Sequence, residues 1–263
     1  MKDKIFLISF YSILIILALF FIILILSVII QLNTRSSIIR ISNNEIFFAV
    51  RLTIITATIS SIFAITISIP VAYILARYNF IFKNIIDAVL YLPIVISPIA
   101  LGAMLLIFFN SPFGRFIENN IFRIVFEVPG IILAQFVVII GLSISLVRAV
   151  FEYIDPVYEE IARTLGSTKF HAFRKIILPL GKKGLVSAFL LIWARAVGEF
   201  GATVTLAGAT TMKTETLPVA IFLSFASADV YSACIFILIS LIISLSTLFF
   251  IRKLYARSKR TFV

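Results

Sequence analysis

Residues 159–180 read EEIARTLGSTKFHAFRKIILPL, the longest strongly polar passage in a chain that is otherwise nearly all apolar. Between Phe151 and Gly184 lie six Lys/Arg residues, four acids and the only histidine, His171. Just ahead of the passage, Asp155-Pro156 is a helix opening, with Pro at a first helical position and Glu159 and Glu160 near the positive N-terminal end. Gly166 ends that helix by allowing a left-handed cap, and Ser167 or Thr168 caps the next one. A second helix, about 169–178, sets Phe170, Phe173 and Ile177 on one face, and Pro179 breaks it. The expected result is a polar hairpin over 151–184: two short helices at a sharp turn, with an apolar edge. That edge suits either a groove on a partner protein or the surface of a membrane, where Lys169, Arg174 and Lys175 would meet anionic headgroups.

The rest of the chain decides what the hairpin is set into. Of 263 residues, 62% are hydrophobic and 13% charged, with a mean hydropathy of +1.17. A soluble domain so composed would have too little polar surface to meet water, whereas runs of about 20 apolar residues match the hydrocarbon core of a bilayer. Six spans are expected, at about 5–30, 47–75, 88–109, 130–147, 185–206 and 230–251, in a single all-α transmembrane domain covering 1–263. The first run is longer than the apolar core of a signal peptide and no small-residue cleavage site follows it. The second is long enough to tilt or to project beyond the bilayer. The third carries Pro93 and Pro98 and should be kinked or broken near its start. The stretch 110–129 reads as a mixed loop, and the loop after 206 as one with room for a short re-entrant segment.

The net charge of +11 sorts onto one side of these spans. Lys2, Lys4, Arg77, Lys83, Arg148, the six cations of the hairpin and the five of the tail from Arg252 to Arg260 share one face. Arg35, Arg40, Arg51, Arg115, Arg123 and Lys213 fall on the other, with Arg195 inside the fifth span. Cytoplasmic loops are the richer in Lys and Arg, so the hairpin and both termini are expected in the cytoplasm. The charge thus sets topology in a membrane and does not point to nucleic acid.

Two apolar stretches carry further signals. In the fifth span, WARAVGEFGAT (193–203) places Arg195 and Glu199 at i, i+4, as neighbours on one helix face. Charges at that depth face a bundle interior or a water-filled path, as a structural ion pair or as part of a pathway with the flexible Gly198 and Gly201. In the third, LPIVISPIALG (92–102) is either a proline kink or a wall of the same pathway. Absences exclude other chemistry. There is no Gly-rich phosphate loop followed by Lys-Ser/Thr, so the chain does not itself hydrolyse ATP, and one histidine supports neither a His-based metal site nor a His-dependent triad. No cofactor and no catalytic residue is expected.

The order Glu160-x-Ala162, three residues, Gly166, nine residues, Ile176-x-Leu178-Pro179 resembles the coupling motif of ABC importer permeases. Ile161 stands where that motif often has a second Ala. The resemblance implies a type I permease fold, a hairpin that docks into a cleft on a separate ATPase dimer, an extracytoplasmic binding protein, and a second copy of the chain around a shared pathway. The runs ARAVGEFGATVTLAG (194–208) and TETLPVAIF (214–222) look like the molybdate branch, with sulfate permeases sharing a related version. Pro93 and Pro98 match a proline-containing run beside the pathway in the same oxyanion permeases. The resemblance therefore implies ATP-driven import of molybdate or tungstate across the cell membrane of a prokaryote. It places Pro93, Pro98, Arg195, Gly198, Glu199, Gly201 and Thr203 along the pathway or its gate. A sulfate or thiosulfate permease is the alternative, and an ATPase-independent carrier or channel, or an intramembrane enzyme, a more distant one.

Overall fold

The computed structural model of the chain describes residues 2–34 and 42–259, so most of the polar segment with Arg35 and Arg40, and Arg260 of the basic tail, lie outside the described residues. No strand occurs among the described residues, and five of their helices are long and apolar enough to cross a membrane, six if one sharply bent pair counts as a span. This is an all-α membrane protein.

Helix α1 (Lys2–Thr34) is exposed along its described side chains and touches only the last helix closely. Helix α2 (Asn43–Arg77) is the spine of the bundle: 35 residues without a break, about 52 Å at 1.5 Å per residue. Ser42 caps its start by accepting from the Asn44 N–H, and the helix continues through Pro70. One face is buried and built almost wholly of small residues: Ala49, Thr53, Thr56, Ala57, Ser60, Ser61, Ala64, Ser68 and Ala72. Small side chains let helix backbones approach where lipid offers no hydrophobic drive to association. Against this face lies α6 (Val128–Tyr153), burying Ala134, Gln135, Ile139, Gly141, Ser143 and Val147. The hydroxyls of Thr53, Thr56 and Ser60 satisfy themselves by donating to carbonyls one turn earlier.

The third span is broken, as its prolines predict, but in the middle and not near its start. Helix α3 (Lys83–Val95) and α4 (Pro98–Asn110) meet at 110°. Pro98 is the cause: it drives Ser97 into extended backbone (φ −58°, ψ 136°), and Ser97 then caps α4 through the Ala100 N–H. Pro93 sits within α3 without breaking it. Each half has 13 residues, about 20 Å, too short to cross a bilayer alone.

The 110–129 stretch, expected to be a loop, contains the amphipathic helix α5 (Pro112–Asn120), started by the Ser111 hydroxyl on the Gly114 N–H. After it, the Glu118 carboxylate accepts from the backbone N–H groups of Ile124 and Val125, both at 2.9 Å.

The hairpin departs from expectation in its second arm. After α7 (Val157–Thr164), helix α8 (Lys169–Ala172) passes through one π turn, Phe173–Ile177, into α9 (Leu178–Val197). Pro179 does not break the helix. It lies in the first turn of α9, where the wider turn, with the Leu178 N–H reaching Phe173 O, admits a residue without a donor. The helix that carries the fifth expected span therefore runs unbroken from Lys169 to Val197 and stops short of 206. A short helix α10 (Gly201–Ala207) follows a break, then α11 (Leu217–Ala226), then α12 (Val230–Lys259).

Four apolar clusters fill the bundle. Ala72, Val147, Phe151, Ile154, Ile177 and Ala188 knit α2, α6 and α9 at the hairpin end. Ala57, Ala64, Ile139, Ile192, Ala196 and Val197 do so at mid-height. At the opposite end, Leu101, Phe109, Ala134, Val138, Ala202 and Leu206 join α4, α6 and α10. Ala49, Leu217, Ala220 and Phe236 join α2, α11 and α12.

Candidate functional site

The hairpin's turn is a complete Schellman motif. The Ser167 N–H reaches Ala162 O and the Gly166 N–H reaches Arg163 O, both at 3.0 Å. Gly166 has φ +88°, the left-handed conformation that disfavours any side chain, and its Cα faces open space. Of the two candidate caps for the next arm, Thr168 takes the role, its hydroxyl accepting from the His171 N–H.

The six motif residues divide by exposure. Glu160, Gly166 and Pro179 are exposed, Ala162 is buried, and Ile176 and Leu178 pack half-buried on the Phe151–Ile177 cluster. Of the expected apolar edge only Phe170 projects into solvent. Phe173 and Ile177 turn inward, and the Phe173 ring lies 4.6 Å from that of Tyr73. The other exposed apolar groups of α7 and the turn are Val157, Tyr158, Ile161 and Leu165. A groove of 760 Å³ runs between α6 and α9, lined by Val150, Tyr153, Pro179, Gly184 and Ser187 among others.

Residues outside the motif hold the hairpin. Glu159 accepts from Tyr73 Oη at 2.7 Å and from Arg77 Nε at 2.8 Å, and Arg77 Nη2 donates to Ile154 O at 2.6 Å. Arg148 pairs with Asp87 across α3 and α6 and with Glu152 on its own helix, each at 2.7 Å. The Lys169 ammonium stands 5.2 Å above the Tyr78 ring. None of these contacts was evident from the sequence. Arg77 and Arg148 were visible there only as topological charge, and Glu159 only as an acid near a helix start.

The two apolar signals converge. Gly102 of α4 sits so close to α10 that a Cβ would stand 2.8 Å from Ala202 Cα and O, and a Cβ on Gly201 would stand 2.9 Å from Ile99 Cγ1 and 3.2 Å from Pro98 Cβ. Pro98 and the 198–203 run thus meet at one junction, where two broken spans cross through small residues. Pro93 stands apart, inside α3. Gly201 serves close approach, and Gly198, with φ −85°, has an ordinary backbone.

Arg195 and Glu199 pair at 2.7 Å, though not on one helix face, because α9 ends at Val197 between them. Glu199 is 1% exposed and Arg195 39%. The second carboxylate oxygen of Glu199 accepts from the Ala202 N–H at 3.0 Å, capping α10. The carboxylate is thereby fully engaged, while the guanidinium keeps one side open. Thr203 is buried and its hydroxyl has no hydrogen-bond partner among the described residues. Gln135, a lone amide in an apolar helix and visible as such in the sequence, bridges Ser60 Oγ (3.1 Å) and Ala196 O (3.2 Å) beneath this junction.

The loop 208–216 closes this end of the bundle. Thr214, Glu215 and Thr216 are buried, and Glu215 accepts from the Met212 N–H. Burial raises the Glu215 carboxyl above its ordinary range, the Met212 bond lowers it, and the charge of Glu45 raises it further. Among the described residues no group of three or more His, Cys, Asp or Glu side chains is placed to hold a metal ion.

Comparison with known proteins finds a family described as the inner membrane component of binding-protein-dependent transport systems, matching residues 64–260. The chain is 32% identical over 225 residues to the sulfate transport system permease protein CysT of Salmonella typhimurium, covering 85% of this chain and 81% of that one. It is 33% identical over 204 residues to the molybdenum transport system permease protein ModB of Haemophilus influenzae, covering 75% and 89%. In fold it is similar to a chain of a bacterial alginate ABC transporter crystallised with an alginate-bound periplasmic protein. That match has a TM-score of 0.74 and 16% identity, covering 94% of this chain and 93% of that one.

Proposed function

This chain belongs to the family of inner membrane components of binding-protein-dependent transport systems, and from that premise we propose that its cargo is a tetrahedral oxyanion, molybdate or tungstate in the first place. It is a multi-pass permease subunit of an ABC importer, a class in which ATP hydrolysis belongs to a separate subunit. The observation that carries the cargo class is that molybdenum and sulfate permeases stand equally near in sequence. Within that pair, the resemblance of 194–208 and 214–222 to the molybdate branch favours molybdate.

In this reading the hairpin and both termini face the cytoplasm, as the Lys/Arg bias directs. Two copies surround a pathway on a two-fold axis, and an ATPase dimer receives the two hairpins through the exposed Glu160 and Gly166 and the start of α9, with Ala162 packed beneath them. An extracytoplasmic binding protein delivers the oxyanion to the opposite mouth, and closure of the ATPases moves the hairpins and switches access. The junction of α4 and α10 borders the pathway. Arg195, half open and backed by the Glu199 carboxylate 2.7 Å away, attracts a dianion without retaining it. A transit site must bind weakly enough to release.

The test is uptake by the permease, its ATPase and its binding protein reconstituted in liposomes. ATP-dependent accumulation of labelled molybdate, suppressed by excess tungstate and not by excess sulfate, is the expected result. Suppression by sulfate, with sulfate itself accumulated, would move the protein to the sulfate and thiosulfate permeases. Oxyanion movement by the permease alone, without ATPase, would make it a carrier or channel.

A further inference from the structure

We propose that Glu159, Arg77 and Tyr73 form the joint through which displacement of the hairpin reaches α2, and that α2 is the lever carrying it to the far mouth of the pathway. The proposal rests on the permease reading above. Both oxygens of Glu159 are taken by α2, one by Tyr73 and one by Arg77, and Arg77 binds Ile154 O as well. Tyr73 and Arg77 are i, i+4 and so share one face of the helix. The Arg77 and Glu159 side chains are only 9% and 15% exposed, which sets them apart from solvated surface pairs that contribute little.

The backbones of α7 and α2 do not pack closely on one another, so side chains make the connection. Apart from this joint, helix α7 packs on α8 and on the π turn of the second arm, and is otherwise mostly exposed. Val157, Tyr158, Glu160, Ile161, Arg163 and Leu165 are exposed, and Ala162 is its one buried residue. Its covalent link to α6 runs through the non-helical residues Ile154, Asp155 and Pro156, which transmit rotation poorly. A sideways push on α7 therefore has two routes, through the side-chain joint into the end of α2 and through the second arm into α9.

Helix α2 can carry that push. It is unbroken for 35 residues; of the two long helices packed on it, α6 is likewise continuous over 26 residues and α9 stops at Val197. Its other end is fastened as well. Thr53 Oγ1 accepts from the Leu217 N–H at 2.8 Å, and Ala49 packs with Leu217 and Ala220. Motion of α2 is delivered directly to α11 and to the buried Thr214–Thr216 loop that precedes it. Glu159, Arg77 and Tyr73 are positioning residues in this scheme, since none needs to touch the cargo or the nucleotide.

The test uses the assembled transporter in liposomes, in a Cys234→Ala background with Phe47→Cys spin-labelled at the exposed far end of α2. Two quantities are read: cargo imported per ATP hydrolysed, and the ATP-dependent change in distance between the labels on the two copies. Arg77→Ala should retain the ATPase subunit on purification and hydrolyse ATP within about twofold of wild type. It should lose the distance change and at least tenfold in cargo per ATP. The exchange Arg77→Glu with Glu159→Arg should recover much of both, and Tyr73→Phe should lose two- to threefold. The joint is overturned if Arg77→Ala keeps the distance change and wild-type coupling, if it sheds the ATPase subunit, or if the exchange restores nothing. The lever is overturned if the wild type shows no distance change at Phe47. An ATP-driven distance change in a wild type that imports no oxyanion would sink the cargo assignment and leave the joint standing.

Discussion

The turn of the hairpin and the junction of α4 with α10 both depend on glycine, and they use it in opposite ways. At Gly166 the backbone is left-handed and nothing lies within 4 Å of where a side chain would begin. At Gly102 the neighbouring backbone stands 2.8 Å from that point. One glycine shapes a turn that is open to solvent, and the other lets two broken spans touch. In the proposed reading, a side chain at the first would obstruct docking and leave the bundle intact. At the second it would force the spans apart.

The largest expected effect comes from Gly102→Leu, which overpacks the junction against the Ala202 backbone; a loss of about 3 kcal/mol in stability is expected. Thermal unfolding in detergent checks it, and an unchanged melting temperature would dissolve the contrast between the two glycines. Gly166→Asp should cost only about 1 kcal/mol in the same assay, from the left-handed backbone. It should nonetheless uncouple transport from ATP hydrolysis, and uptake at the normal rate would remove the hairpin from the docking role. Glu199→Ala removes both the cap on α10 and the partner of Arg195, for about 1 kcal/mol in the cap alone. A change in basal ATPase or transport beyond that loss would place the pair in the pathway, whereas a change in stability alone would make it structural.

The smallest effect concerns pH. The Glu215 carboxyl is raised above its ordinary value of 4.5, so between the two values the native state holds a proton that the unfolded chain has released. Stability should therefore fall as pH rises above 4.5 through the raised value, and Glu215→Gln should flatten that slope. Melting curves from pH 4 to pH 8 read it, and an identical slope in the variant would leave the loop without a titrating group.

Composition made the membrane class and the spans legible, and spacing made the hairpin so, because lipid demands long apolar helices and a Gly at a helix end has few other meanings. The continuity of α8 into α9 was hidden, since Pro179 alone says "break" and only the π turn before it says otherwise. The break after Val197 was hidden for the reverse reason. No proline marks it, and Arg195 and Glu199 keep helical spacing across a gap in the helix. The joint at Glu159 could not be read at all, because its partners Tyr73 and Arg77 lie 86 and 82 residues away and no local pattern links them.

The π turn at Phe173–Ile177 also sets a rotational phase. It holds one residue more than an α turn, and each residue of a helix advances the side chains by about 100°. Drawing Phe173–Ile177 into a plain α turn with no residue removed would swing Lys169–Ala172, with the whole Schellman turn beyond it, by about that angle around the axis of α9, whereas deleting one residue along with the wide turn would leave it near its present direction. The direction in which the hairpin points is thus held by a wide turn that absorbs one surplus residue, upstream of the proline that conceals it.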